Sequence, residues 1–132
     1  MVHNLDDFIR KLAQGRCEYC RIPESHSRLG HVLDHIIARQ HGGLTTTANL
    51  ALCCGRCNQF KGPNIAGIDP ESSQLVRLFN PRLDLWDEHF RFKSAYLVGL
   101  TPVGKATIAV LAINLPIRIA SRRSLLDAGH PL

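Results

Sequence analysis

Two Cys-x-x-Cys pairs constrain this chain more than any other feature of its sequence. The first pair is Cys17 and Cys20, and the second is Cys54 and Cys57. Each pair places two sulfur atoms on one turn of backbone, where both can face the same ion. Two such pairs supply the four thiolates that zinc takes in tetrahedral structural sites. The sequence therefore predicts one structural Zn²⁺ per chain, held by these four cysteines.

Other interpretations of the cysteines stay open at this stage. One pair could be a redox motif, although neither is surrounded by the βαβ pattern that accompanies such motifs. All four could instead be buried free thiols. A disulfide framework is disfavoured, because the chain has five cysteines, an odd number, and no secretory signal is expected. The fifth, Cys53, is expected to be a small buried apolar residue.

Length and composition indicate one small globular domain. The chain has 132 residues, of which 45% are hydrophobic and 20% charged, the usual mix for such a domain. No apolar run approaches the ~18 residues of a membrane-spanning helix. The first residues lack the basic and apolar regions of a secretory signal. We therefore expect a cytoplasmic protein with no membrane association. The net charge of +5 permits a polyanionic partner without requiring one.

Local patterns predict an α+β fold built from short elements. Apolar residues at helical spacing after Asn4, interpreted as an N-cap, predict a helix over 5–14. Apolar and β-branched runs predict strands at 31–37 and 49–52. After Cys54 the sequence predicts a turn and a short helix that ends at Gly62. Further along, the patterns predict turns over 64–87, a hairpin over 90–98, and helices over 102–113 and from 116 to near 129.

The residues between and beside the cysteine pairs resemble those of the HNH endonucleases, which share a ββα-metal fold. The matching elements, in order over residues 17–62, are Cys-x-x-Cys, Asp-His-Ile, Gly-Gly, Asn-Leu and Cys-x-x-Cys-Asn-x-x-Lys-Gly. Asn58 stands where many members have histidine, which is the Asn variant of the motif. We predict a single domain over 1–132, with the nuclease core at 17–62 and a C-terminal extension at 63–132 packed on it.

The resemblance implies a metal-dependent endonuclease that hydrolyses DNA, or another nucleic acid, and leaves 3′-hydroxyl and 5′-phosphate ends. His35 would be the general base, since an imidazole with a reference pKa of about 6.5 can take a proton from water. Asp34 and Asn58 would offer oxygen atoms to a catalytic Mg²⁺ or another divalent cation. Asn49, by the family pattern, would brace the loop and orient the His35 backbone.

Three further side chains are candidates for contact with DNA phosphates. Lys61 lies three residues after Asn58, on the same face of the short helix, and is expected to contact a phosphate beside the catalytic metal. Arg39 and His41 lie in the loop that follows the catalytic strand. Two rival functions remain open: a non-catalytic zinc module that binds nucleic acid, and a zinc-stabilised interaction domain. Only the nuclease needs the Asp-His pair and the asparagine together.

Overall fold

A computed structural model describes residues 2–132 of the chain. Within this range the helices are α1 (Val2–Leu12), α2 (Gly55–Lys61), α3 (Trp86–His89), α4 (Pro102–Val110) and α5 (Pro116–Asp127). The strands are β1 (Val32–His35), β2 (Leu50–Cys53), β3 (Ala66–Ile68), β4 (Leu75–Arg77), β5 (Phe90–Lys93) and β6 (Tyr96–Gly99). They pair as three antiparallel ribbons, β1 with β2, β3 with β4 and β5 with β6. The predicted α+β fold class is confirmed.

The β1–β2 ribbon and α2 form the expected ββα unit. In the ribbon His35 pairs with Leu50, so the end of β1 lies beside the start of β2. Every residue of β2 is buried, which explains why its sequence is continuously apolar rather than alternating. Cys54 follows β2 at once and is the N-cap of α2, because its sulfur accepts a hydrogen bond from the Cys57 amide at 3.4 Å. The second cysteine pair therefore also starts the helix.

The N-terminal helix begins earlier than predicted. It starts at Val2, so Asn4 lies inside it and the predicted N-cap is wrong. An N-cap contributes only about 1 kcal/mol to helix stability. Additional backbone hydrogen bonds can therefore extend the helix past a capping asparagine. Left-handed residues Gln14 (φ 55°) and Gly15 (φ 71°) follow the helix and end it. Ile9 of α1 and Ala13, just after the helix, pack on Leu50 and Leu52 of β2 in a small buried cluster.

The turn-rich segment 64–87 contains a hairpin that the sequence did not reveal. Strands β3 and β4 have three residues each, too few for a readable alternation. In their connecting loop, the Asp69 carboxylate accepts hydrogen bonds from the Ser72 hydroxyl at 2.7 Å and the Glu71 amide at 3.0 Å. The hairpin packs closely on α4, where a Cβ at Gly67 would overlap the Val110 side chain. Tertiary packing, rather than local pattern, decides these strands.

The second hairpin and the last two helices lie close to their predicted positions. Strands β5 and β6 occupy the predicted 90–98 region. The Thr101 hydroxyl caps α4 by accepting a hydrogen bond from the Gly104 amide at 3.0 Å. Helix α4 ends at Val110 rather than at 113, because Ala112 adopts a left-handed φ of 50°. Among the described residues, none of the helices combines the length and apolarity that a membrane crossing would require.

The main buried cluster contains residues from both the 17–62 and the 63–132 segments. Its members include Cys17, Tyr19, Ile36 and Ala51 from the first segment, and Leu78, Phe79, Phe90, Leu97, Leu111 and Ile113 from the second. Trp86, the one tryptophan of the sequence, donates its indole N–H to the Tyr19 carbonyl at 2.9 Å. The Arg21 guanidinium lies 4.6 Å from the centre of the same ring. On these contacts we propose that the two segments fold as one unit.

The link between the segments also includes an ion pair. Asn80 shapes the turn after β4, since its side-chain oxygen accepts a hydrogen bond from the Arg82 amide at 2.9 Å. Arg82 then forms an ion pair with Glu18, which lies between the first two cysteines. Two hydrogen bonds, of 2.7 and 3.0 Å, join Arg77 to the Asp84 carboxylate on the other side of that turn. The turn is thereby fixed against the first cysteine pair.

If the two segments fold as one unit, three signals should change together on heating. Trp86 fluorescence, far-UV circular dichroism and zinc release to a coloured chelator should share one transition, because metal binding and folding are coupled. A Trp86 transition well below the other two would show that the extension unfolds separately and would contradict the proposal.

Candidate active site and metal centre

The four predicted zinc ligands come together in the interior. The sulfur atoms of Cys17, Cys20, Cys54 and Cys57 all lie within 4.8 Å of one another, and all four residues are buried. Tetrahedral zinc with Zn–S bonds of about 2.3 Å places its sulfurs about 3.8 Å apart, and the sulfurs of Cys20 and Cys54 are 3.7 Å apart. The predicted cysteine tetrad is confirmed, and its donor atoms and spacing fit a zinc ion.

Backbone amides stabilise the first sulfur of each pair. The Cys20 amide lies 3.5 Å from the Cys17 sulfur, and the Cys57 amide lies 3.4 Å from the Cys54 sulfur. Such N–H groups offset part of the negative charge of a thiolate. Cys53 is buried beside the tetrad but outside it, and its thiol points to the Cys54 carbonyl at 3.4 Å.

The tetrad has an arginine neighbour that the sequence analysis missed. Arg118, on α5 and only 4% exposed, donates to the Cys57 sulfur at 2.9 Å and lies 3.9 Å from the Cys54 sulfur. Four thiolates around a Zn²⁺ ion would leave an excess of negative charge, which this guanidinium would partly offset. A signal was present in the sequence: Arg118, Arg122 and Leu125 recur at the spacing of one helix face. That face is buried.

His35 lies at the end of β1, with its imidazole partly exposed. Its Nε2 atom is 2.9 Å from the Thr45 hydroxyl oxygen. In the tautomer in which Nε2–H donates to that oxygen, Nδ1 carries the lone pair. This is the state that a general base requires, and solvent can reach the ring. The sequence analysis did not single out Thr45, because a threonine in a polar loop carries no distinctive signal.

Asn49 holds the loop that carries Thr45. Its side-chain oxygen accepts a hydrogen bond from the Ile37 amide at 2.9 Å, and its amide nitrogen donates to the carbonyls of Ile37 and Leu44 at 3.0 and 2.8 Å. Gly43 is required beside it, since a Cβ there would overlap the Ile37 carbonyl oxygen. These contacts tie the loop to the end of β1.

Asp34 is buried next to His35 and is held by two side chains. It is 5% exposed, and one oxygen, Oδ2, accepts a hydrogen bond from the Tyr19 hydroxyl at 2.9 Å. The Lys61 ammonium lies 3.1 Å from Oδ2 and 3.3 Å from Oδ1. Burial raises the pKa of the Asp34 carboxyl, and the positive charge of Lys61 opposes that rise. A carboxylate has about four acceptor positions, so one on Oδ1 remains for a further ligand.

Lys61 differs most from its predicted role. The side chain is 1% exposed, and besides Asp34 its ammonium donates to the carbonyls of His35 and Ile36, both at 3.1 Å. An ammonium has three donors, and all three are used. Lys61 therefore has no donor left for a phosphate and joins α2 to the end of β1 instead. Helical spacing could not show that this face turns inward.

The remaining predicted residues lie at the surface. Asn58 is exposed on α2, one turn before the buried Lys61. Arg39 and His41 are exposed in a short 3-10 turn after β1. The structure thus brings Asp34, Tyr19 and Lys61 together and leaves the other three side chains facing solvent.

The buried ion pair should show strong energetic coupling. Asp34→Ala should destabilise the fold by about 3–5 kcal/mol, because it leaves the Lys61 charge buried without its counter-ion. Adding Lys61→Met should recover part of that loss, since the unpaired charge is then gone. Urea unfolding of the two single variants and the double variant measures this. Simply additive losses would show that the pair is not coupled.

Comparison with known proteins identifies the segment that contains this site. Residues 17–64 match the family model described as HNH endonuclease. No curated protein and no solved structure matches the chain. The matched residues include the cysteine tetrad, the β1–β2 ribbon and α2, which together form the site described above. The chain therefore contains an HNH endonuclease-family domain at residues 17–64.

Proposed function

We propose that this protein is a metal-dependent endonuclease that hydrolyses DNA phosphodiester bonds, with His35 as its general base. The observation that carries the proposal is the placement of His35 within the matched HNH segment. Its Nε2 is held by Thr45 at 2.9 Å, and the ring is partly open to solvent. A histidine oriented on one side and open on the other can accept a proton from a bound water.

The chain offers two oxygen donors for the divalent cation that this family of nucleases implies. Bound there, Mg²⁺ or a similar cation would neutralise phosphate charge and assist departure of the 3′ oxygen. We assign its binding to the free acceptor position of Asp34 and to the exposed amide oxygen of Asn58. One or two protein oxygens are enough, because Mg²⁺ keeps several of its waters.

The protein side chains then act on water and on the loop geometry. His35 takes a proton from the attacking water at Nδ1, and the resulting hydroxide forms a bond to phosphorus. The bond between phosphorus and the 3′ oxygen breaks, and that oxygen takes a proton from a solvent water, which leaves a 5′-phosphate and a 3′-hydroxyl. Thr45 keeps the ring in one orientation, and Asn49 keeps Thr45 in place. Arg39 and His41, exposed on the same loop, are assigned to phosphate contacts outside the reacting bond.

Removing the imidazole should separate catalysis from folding and binding. His35→Ala should lower the cleavage rate by roughly 10²–10⁴-fold, while zinc content, melting temperature and DNA affinity stay close to those of the parent. The measurement is cleavage of supercoiled plasmid with Mg²⁺, Mn²⁺ or Ni²⁺, with a chelator control.

Two outcomes of that assay would reject the proposal. Undiminished cleavage by His35→Ala would remove the histidine from the mechanism. A zinc-loaded parent that binds DNA but cleaves it with none of the metals would favour the non-catalytic nucleic-acid-binding module.

The two asparagines should respond differently to substitution. Asn58→Ala should leave the melting temperature nearly unchanged and raise the metal concentration needed for cleavage, since only a metal ligand is lost. Asn49→Ala should lower stability by about 1–3 kcal/mol, because it leaves the Ile37 and Leu44 backbone groups without partners. Added metal should not restore its activity. Melting curves and metal titrations of cleavage test both, and the reverse pattern would exchange the two roles.

A further inference from the structure

A positively charged region lies on a different face of α2 from Asn58. A cavity of about 660 Å³ opens between the loop after the first cysteine pair, the start of α2, and α5. Arg56 and Gln59 line it from α2, and their spacing of three places them on one helix face. Asn58 does not line it. The cavity is therefore separate from the proposed cleavage site.

The lining of this cavity is strongly biased in charge. Among the described residues that form it, the tetrad cysteines Cys20 and Cys54 lie at its base and there is no aspartate or glutamate, but there are four arginines and one histidine: Arg28, Arg56, Arg118, Arg122 and His26. Such a concentration of one sign in a concave surface focuses the electrostatic potential and attracts anions.

The four arginines divide into a floor and a rim. Arg118 and Arg122 form the floor. Arg118 donates a hydrogen bond to the Cys57 sulfur, and Arg122 donates to the carbonyls of Ala95 and Ile113 at 2.8 and 2.9 Å. Both floor arginines are therefore held in place by protein acceptors. Their charge is partly offset by the thiolates below. Arg28 and Arg56 are exposed at the rim, and neither forms an ion pair with any described residue. The rim arginines are thus the ones free to bind an external anion.

The other lining groups indicate which anion fits. Gln59 and Ser121 add neutral donors, and the Ser121 hydroxyl lies 3.2 Å from the His26 ring. Leu29 lies at the edge and is 98% exposed, an apolar surface beside the cations. Guanidinium groups bind phosphate oxygens in a forked geometry, and an apolar side chain can cover a sugar or base. This combination matches a nucleic-acid strand better than a small free anion.

We propose that this cavity binds the phosphodiester backbone of the nucleic-acid substrate outside the cleavage site, with Arg28 and Arg56 as the direct phosphate contacts. The proposal rests on the nuclease function proposed above. The two arginines come from the loop after the first cysteine pair and from α2, and both line the same cavity, so both face one stretch of backbone bound there. Arg118 connects this surface to the cysteine tetrad, because the same guanidinium contacts the sulfurs and lines the cavity.

The test is a salt series of DNA binding in the His35→Ala background, which removes cleavage. Anisotropy of a labelled duplex gives the affinity at each salt concentration. Arg28→Ala and Arg56→Ala should each reduce the salt slope by about one. Each should also weaken binding about eightfold at 0.1 M salt. This factor follows when log affinity against log salt loses about 0.9 of slope for one phosphate contact, and variant and parent bind equally at 1 M salt. Arg56→Lys, which keeps the charge, should recover part of the loss.

Arg91→Ala is the matched control, since Arg91 is an exposed arginine on β5 that does not line the cavity. It removes the same charge and should change the slope much less. In the cleaving protein, Arg28→Ala and Arg56→Ala should raise KM and leave kcat close to the parent value, because neither touches the reacting atoms.

The outcomes distinguish this proposal from the nuclease function. If both rim variants behave like Arg91→Ala while the parent binds and cleaves DNA, the cavity is not a backbone site and the nuclease proposal stands. If the parent neither binds DNA at low salt nor cleaves it, both proposals are overturned.

Discussion

The tetrad of Cys17, Cys20, Cys54 and Cys57 is the contact on which the rest of the structure depends. It closes the long segment between the two pairs and so brings the ends of that segment together. The regular secondary structure in and directly after this segment is short: β1 and β2 have four residues each, and α2 has seven. Elements this short are not stable alone in water. A zinc ion held by the four thiolates would supply the missing free energy, because metal binding and folding are coupled in small domains of this kind.

Two chains of contacts lead from the tetrad to the proposed catalytic centre. Tyr19 lies inside the first cysteine pair, and its hydroxyl reaches Asp34. Cys57 is the immediate neighbour of Asn58, and Lys61, one turn further on, joins α2 to the end of β1. A buried ion pair is favourable only when its hydrogen-bonding groups are satisfied, and here each ammonium donor has an oxygen acceptor. The geometry at the strand end is therefore set by residues that lie between the cysteines of the first pair or shortly after the second pair.

The extension after residue 62 contributes side chains that contact both cysteine pairs or the residues between them. Trp86 and Arg82 pack against the first cysteine pair, and Arg118 reaches the sulfurs of the second. Since α5 also forms one wall of the arginine-lined cavity, loss of the metal should disturb the cavity as well as the ββα unit. On the proposals made above, one structural ion supports both the cleavage site and a second contact to the substrate.

Much of this arrangement was predictable because it follows from spacing and side-chain chemistry within short stretches. The two Cys-x-x-Cys pairs predicted the tetrad, and local patterns predicted the two strands and the short helix of the ββα unit. The candidate roles of Asp34, His35 and Asn49 came from the resemblance to the HNH endonucleases. Other features depend on contacts between segments distant in sequence. These include the β3–β4 hairpin, which packing on α4 selects, and Arg118 against the cysteine sulfurs. Lys61 shows the difference most directly. Sequence placed it correctly on the helix, but only the approach of β1 decided that its charge would be buried against Asp34 rather than left in solvent, since burial of an ammonium requires acceptors that another element must provide.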